Sequence, residues 1–418
     1  MKLVQFGAGN IGRAFVGQLF ARAGWEVVFV EIDLALIAAL NRERRYAVEI
    51  RDEPPQRITV EGVRAIDARD RAAVAEEIAT ADIAATAVGP HALDSVYPLL
   101  AAGVLRRREL RGGPLDVLIC ENLRAAADLF RENLARQLTE DFDLELDVGL
   151  VETSIGKMVP IMPEDARRSD PLLLYAEAFN TLIVDRRGFL GPVPDVPGLD
   201  PKDNIAAYVD RKLFTHNLGH AAAAYIGHVV HPEAVFMWQV LDDREIHNAA
   251  RRAMWESARS LMLRYPYEFD EHDQSEHIED LLRRFANTAL GDTVHRVGRD
   301  LPRKLGPEER VIGALRLDQQ EGVPAPYTTL TLACALRFQA PDENGHLFSS
   351  DAETSSRIAR EGAESVLRDI CRLDPADPFD ASVIQEASKA YHYLSLHPQS
   401  GWLPRFASDE FSAFDDTL

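Results

Sequence analysis

Apolar side chains come first in short continuous runs and later in long stretches spaced three and four apart, and this change of rhythm divides the chain. Residues 2–6 (KLVQF) read as a strand, GAGNIG as a turn, and RAFVGQLFARAG as a helix closed by Gly24. WEVVFVEID is the next strand, LALIAALNRE a helix, ITVEGVRAID a strand, RAAVAEEIAT a helix, and DIAATAVG a buried strand ending at Gly89-Pro90. DVLICEN and LDVGLVETSIG add two more strands and carry the pattern to about Val159. Strands alternating with helices predict a doubly wound parallel sheet of the Rossmann type. Between 160 and 202, YAEAFNTLIVD is strand-like and GFLGPVPDVPGLDPKDN is rich in proline and glycine, which places the domain junction there. From Asn204 the periodicity is helical over 204–225, 232–264, 274–287, 307–319, 326–338, 351–371 and 381–395. The expected architecture is therefore an α/β domain over 1–202, an all-α domain over 203–395 and an acidic tail over 396–418.

Composition narrows the partners. A chain of 418 residues is long enough for two domains with a core each. Its formal charge of −21 would repel nucleic acid and anionic lipid surfaces, so neither is an expected partner. The weakly charged run from about Ile78 to Leu105 is interrupted by Asp82, Pro90, Asp94 and Pro98, which predicts no membrane span. Cys120, Cys334 and Cys371 are too scattered for a disulfide framework or zinc knot, and MKLVQFGAGN lacks the character of a secretion signal. Both point to the cytoplasm. The acidic tracts EFDEHDQSEHIED and SDEFSAFDD read as solvated surface, with the tail as an oligomer contact in the alternative of a homodimer rather than a monomer.

The first turn carries G-x-G-x-x-G at Gly7, Gly9 and Gly12, between a predicted strand and a predicted helix. The first glycine permits the turn, the second admits a pyrophosphate, and the third packs helix against strand. Phe6, Gly7, Ala8, Gly9, Asn10, Ile11 and Gly12 are thus the candidate cradle for a dinucleotide. Glu31, 19 residues beyond Gly12, closes the second strand where a carboxylate accepts from both ribose hydroxyls, which favours NAD over NADP; Asp33 is the alternative. Thr86, Ala87, Val88 and Gly89 end the fourth strand at the sheet's carboxyl edge, where ligands of such folds bind.

In the second domain, DRKLFTHNLGHAAAAY crowds polar residues onto one helix. At 100° per residue Lys212, Asn217 and His220 sit at about 0°, 140° and 80°, close enough for one face to present all three, with His216 between them. An exposed helix face is one reading. Zinc held by His216 and His220 at i, i+4 is another, with no third ligand nearby in sequence, so no metal is expected. Proton chemistry is a third: alcohol oxidation needs a base and a donor to the developing alkoxide, and a desolvated lysine beside an asparagine amide supplies both.

The pattern K-x4-N-x2-H, with FGAGNIGRAF, TAVG, CEN, RKLFTHNLGHA and RVGRDLPRKL, resembles the polyol-specific long-chain dehydrogenase (mannitol dehydrogenase) family, and most its mannitol-1-phosphate 5-dehydrogenase branch, over Met1 to about Tyr393. The resemblance implies a Rossmann domain, a helical domain, and zinc-independent NAD-linked interconversion of a polyol or polyol phosphate and its ketose where the two meet. It implies that Lys212 is the general base, that Asn217 and Asn122 hold the substrate oxygen, and that His220 orients the substrate. Mannitol 1-phosphate with fructose 6-phosphate is the leading pair, with an unphosphorylated hexitol or a sugar acid as alternatives.

The chain departs from the family pattern in places. T-S-I-G-K-M-V-P stands where S-x-V-D-R-I-V-P is typical, so Gly156 replaces an acid and Lys157 an arginine at a substrate-side position. Gly313 stands where the phosphate-polyol branch tends to carry lysine. These changes keep open a non-catalytic NAD-binding sensor. Arg296, Arg299, Arg303, Lys304 and Arg310 form a basic cluster that suits either a phosphate socket or ion pairs with the abundant acids. Lys157, Arg299 and Lys304 are the expected substrate contacts.

Overall fold

The computed structural model describes residues 1–396 apart from Glu53, Glu140, Ile161 and Pro163; residues 397–418, nearly all of the acidic tail, lie outside the described residues. The chain forms two compact units, one over Met1–Val209 and a second from Asp210 onward.

The first unit holds strands β1 (Lys2–Phe6), β2 (Glu26–Glu31), β3 (Arg45–Ile50), β4 (Gln56–Glu61), β5 (Val63–Asp67), β6 (Ile83–Thr86), β7 (Leu115–Ile119), β8 (Val148–Ile155), β9 (Leu174–Ala176), β10 (Leu182–Asp185) and β11 (Leu199–Lys202). Eight of them make one sheet in the order β11-β10-β8-β7-β6-β1-β2-β5. The run from β5 to β8 is parallel, and β10 turns antiparallel against β8. The continuous apolar runs have a simple cause: both faces of the sheet are covered. Leu3, Val27 and Phe29 pack into one layer, and Val4, Phe6, Val28 and Val30 into the other.

Two features depart from the sequence reading. ITVEGVRAID is not one strand: Gly62, at φ +73°, breaks it, so that β5 joins the main sheet while β4 pairs with β3 and β3 with β9 in a separate three-stranded sheet. The interrupted run around Pro98 is a helix, Leu93–Glu109, which carries the proline at its sixth position, gives up one backbone bond there, and buries Val96, Tyr97, Leu100 and Val104.

The second unit is helical, and among its described residues extended pairing is limited to one bridge, Phe236 with Thr293. The expected helices are present with shifted ends; 351–371 is two helices parted at Gly362, and 232–264 is two, Met237–Leu241 and Arg244–Arg264. The alanine-rich stretch Leu218–Val230 is buried on nearly every side. Small residues let its neighbours approach: a Cβ on Gly219 would fall 2.3 Å from the Met254 sulfur, and one on Gly227 2.7 Å from Val240. Tyr225, fully buried, donates to the Gly298 carbonyl at 3.0 Å.

Candidate active-site elements

The glycine turn is fixed by backbone contacts that leave one position open. The Gly7 N–H donates to Val30 O at 2.9 Å, and Gly7 has φ +86°, with its missing Cβ 2.5 Å from Ala87 O. A Cβ on Gly12 would lie 2.0 Å from Gly7 O, so turn and helix are in backbone contact there. Around Gly9, by contrast, a Cβ would meet nothing within 4 Å. The fold itself does not require glycine at that position, and approach of a bulky anion to the backbone does. The cradle therefore fits a dinucleotide pyrophosphate.

Buried Arg13 braces the turn from behind, its Nε donating to Ala8 O at 2.6 Å and one Nη to Leu172 O at 3.1 Å. Glu31 accepts from the Ala8 amide at 2.9 Å through one oxygen and from Ile32 and Asp33 through the other. Its carboxylate thus stands at the turn as expected. Asp33 caps the next helix, a single oxygen accepting from both Ala35 and Leu36.

At the carboxyl end of β6, Thr86 is buried, and the Ala87 N–H donates to Phe6 O at 2.9 Å. Val88 and Gly89 each donate at 2.9 Å to the buried Glu121 carboxylate, one to each oxygen. Burial pushes the Glu121 carboxyl up, and the two amides oppose that shift. Glu121 was not among the expected site residues, although it precedes Asn122 in CEN; nothing in the sequence ties it to a loop more than thirty residues away. Asn122 itself is exposed at the end of β7.

Lys157, an expected substrate contact, is engaged within the protein. Its buried ammonium donates to Glu177 O at 3.0 Å, Phe179 O at 2.8 Å and Asn180 Oδ1 at 3.0 Å, which uses all three N–H donors to tie down a loop.

The lysine helix, which starts in the last residues of the first unit and runs on into the second, is not uniformly α-helical. An α-helical start, Ile205–Arg211, passes into one π-helical turn, Lys212–Asn217, and then into the α-helix from Leu218. The expected 100° per residue fails over these six residues. An i→i+5 turn instead stacks Asn217 above Lys212, closer than the 140° offset first assigned. Burial, reinforced by the Arg310 and Arg303 charges over the opposing Glu309, lowers the Lys212 pKa to about 7. Asn217 Nδ2 is buried and makes no hydrogen bond.

The two histidines pack on one aromatic ring. His220 stacks on Phe285 with centroids 4.2 Å apart and planes 2° from parallel, and His216 lies 5.4 Å from the same ring. Burial lowers both pKa values, so both rings are neutral near pH 7. His220 Nε2 faces Asp292 Oδ2 at 3.4 Å. Among the described residues no three His, Cys, Asp or Glu side chains converge as a metal site.

The basic cluster resolves mainly into ion pairs. Arg296 grips Asp292 through two bonds of 2.5 Å, Arg303 pairs with Asp300 at 2.6 Å, and Arg310 pairs with Glu309 at 3.1 Å. Lys304, expected at substrate, is buried and donates to the Val297 carbonyl. Arg299 stacks over Phe348 at 5.3 Å and pairs with no carboxylate among the described residues. Gly313 has a packing reason: a Cβ there would lie 2.7 Å from Phe214.

A doubly wound sheet with an open glycine cradle, joined to a helix that holds an amine of depressed basicity, defines a Rossmann-type oxidoreductase. Family models agree on both halves, matching the mannitol dehydrogenase Rossmann domain at residues 1–198 and the mannitol dehydrogenase C-terminal domain at 204–372. The chain belongs to the mannitol dehydrogenase family. A mannitol-1-phosphate 5-dehydrogenase from Brevibacillus brevis is 33% identical over 399 residues, covering 95% of this chain and all of that protein. Among solved structures, Pseudomonas fluorescens mannitol 2-dehydrogenase in ternary complex with NAD and D-mannitol shares the fold at TM-score 0.76 and 15% identity, covering 99% of this chain and 94% of that one. Substrate-free D-sorbitol dehydrogenase does so at TM-score 0.73 and 15% identity, over 95% and 93%. No helix of the described residues is long and apolar enough to cross a membrane.

Proposed function

We propose that the chain is an NAD-dependent, zinc-independent dehydrogenase that interconverts a polyol phosphate and its ketose phosphate, with mannitol 1-phosphate and fructose 6-phosphate as the pair. The observation that carries this reading is the placement of the Lys212 amine one π-turn from the buried Asn217 Nδ2, which makes no hydrogen bond, with burial lowering the amine's pKa to about 7. A neutral amine accepts the hydroxyl proton as the alcohol is oxidised, and the amide donates to the oxygen on which negative charge develops. Bound NAD supplies the hydride acceptor. Glu31 at the turn selects a free ribose 2′-hydroxyl and repels a 2′-phosphate. Asn122 gives a second amide to the substrate oxygen, and neutral His220 accepts from a neighbouring hydroxyl. A lysine base makes a metal-bound one unnecessary for the proton step.

The phosphate preference rests on two supports: the Brevibacillus relative, and Arg299, whose guanidinium is not consumed by a carboxylate among the described residues. The test is a ketose panel with NADH, followed by loss of reduced-cofactor absorbance. Turnover of fructose 6-phosphate well above fructose, with Arg299→Ala raising KM for the phosphate alone by about tenfold or more, supports the reading. NADH binding with no turnover on any ketose or keto acid contradicts it and leaves a cofactor sensor.

A further inference from the structure

We propose that Asp292 is a positioning residue that fixes the tautomer and plane of His220, so that the ring offers substrate an Nδ1 lone pair and not an N–H. This rests on the reading above, in which His220 meets a substrate hydroxyl.

Three contacts define the arrangement. The His220 ring is held flat on Phe285, 4.2 Å away and 2° from parallel, which leaves only its edge free to choose a partner. Nε2 lies 3.4 Å from Asp292 Oδ2, an electrostatic contact that falls short of hydrogen-bond geometry, and this buried nitrogen has no other partner. The carboxylate is itself immobilised: Arg296 Nε and Nη2 bind its two oxygens at 2.5 Å each, and the Asp292 backbone carbonyl accepts from the Met237 N–H at 2.9 Å.

The charges give the direction. Burial alone would raise the Asp292 carboxyl, but the facing His220 and the Arg296 guanidinium hold it well below the carboxylate range, so it is an anion at any working pH. The ring is neutral, since burial outweighs the pull of Asp292. A neutral imidazole beside a permanent acceptor places its one proton on the nitrogen facing that acceptor. The proton therefore sits on Nε2, toward Asp292, and Nδ1 is left as an acceptor for a hydroxyl. Arg296 is thereby assigned to the clamp and withdrawn from phosphate binding.

Asp292→Asn tests the assignment. With the guanidinium engaging the amide oxygen, the NH2 group turns to the ring, donates to Nε2 and forces the proton onto Nδ1. Expected are a kcat/KM lower by about 10²-fold, unchanged NADH affinity, and partial recovery in Asp292→Glu. The readout that a merely structural role would not move is the tautomer itself. Long-range proton–nitrogen correlation of histidine-labelled protein, with the signal identified by its loss in His220→Gln, should show Nε2–H in the wild type and Nδ1–H in Asp292→Asn. A wild-type ring that is Nδ1–H or doubly protonated at pH 7 overturns the proposal, as does a folded Asp292→Asn within threefold of wild-type kcat/KM. If Asp292→Asn does not fold, the wild-type tautomer decides alone. That signal is read without substrate, so it is independent of whether polyol phosphates are turned over.

Discussion

Among the described residues are two π-helical turns of six residues, GRAFVG at Gly12–Gly17 and KLFTHN at Lys212–Asn217, and they do opposite things. The first is entirely buried and presses backbone on backbone: Cβ atoms on Gly12 and Gly17 would fall 2.0 Å from Gly7 O and 2.7 Å from Gly12 O. Its function is the shape of the main chain. The second buries Leu213, Phe214, Thr215 and His216, and its two ends, Lys212 and Asn217, are less buried and carry the polar groups. There the wide turn arranges side chains. A π-turn is costly enough to be rare and concentrates at functional sites, and here each instance flanks one half of the proposed chemistry.

Substitutions can break this comparison from either side. The largest effect is expected for Gly12→Ala, where the added methyl meets main chain that cannot give way; loss of several kcal/mol, about 3 or more, should appear as a fall of Tm and of NADH binding together. Next is Lys212→Met. Removing the base should lower kcat for polyol oxidation by about 10²- to 10⁴-fold with the NADH Kd unchanged. The same change should raise Tm at neutral pH, because an amine whose folded pKa is depressed costs stability at any pH below the unfolded lysine value of about 10.4, and most below the folded value. Higher activity cost with higher stability is the mark of a functional group; loss of both would mean a structural one.

Gly9→Ala should sharpen the contrast with Gly12. No protein atom opposes the methyl, so Tm should stay within about 2 °C, while NADH affinity falls by about tenfold because the pyrophosphate can no longer reach the backbone. Smaller still is Glu31→Ala, expected to weaken NADH several-fold and relax discrimination against NADPH, measured as the ratio of the two Kd values. Unchanged preference would move selectivity to another residue, with Asp33 the alternative, since its helix cap uses only one carboxylate oxygen.

The layout of strands and helices was legible because both kinds of element announce themselves locally: apolar runs covered on two faces, and periodic stretches ending at glycine. The cradle was legible for the same reason, since Gly7 and Gly12 are dictated by backbone clashes that admit no other residue. What stayed hidden depends on partners distant in sequence. Glu121 acts through amides at 88 and 89, Arg13 through a carbonyl at 172, and Asp292 through a ring at 220. The surroundings of Lys157 and Lys304 were hidden for the converse reason. A lysine code says cation, and only the fold shows that buried carbonyl oxygens accept from both ammonium groups. The π-turn at Lys212 was invisible too, because no residue pattern distinguishes it from an α-helix.

The basicity of Lys212 is the centre of the account, and it can be read directly. The chain has only six lysines, so carbon-13 labelling of lysine gives a spectrum in which the Lys212 signal, identified by its absence from Lys212→Met, can be followed with pH. The predicted midpoint is about 7, with kcat/KM for polyol oxidation rising through the same pH as the amine loses its proton and levelling above it. A Lys212 signal that titrates near the ordinary lysine value of about 10.4, with oxidation insensitive to pH around 7, would contradict it.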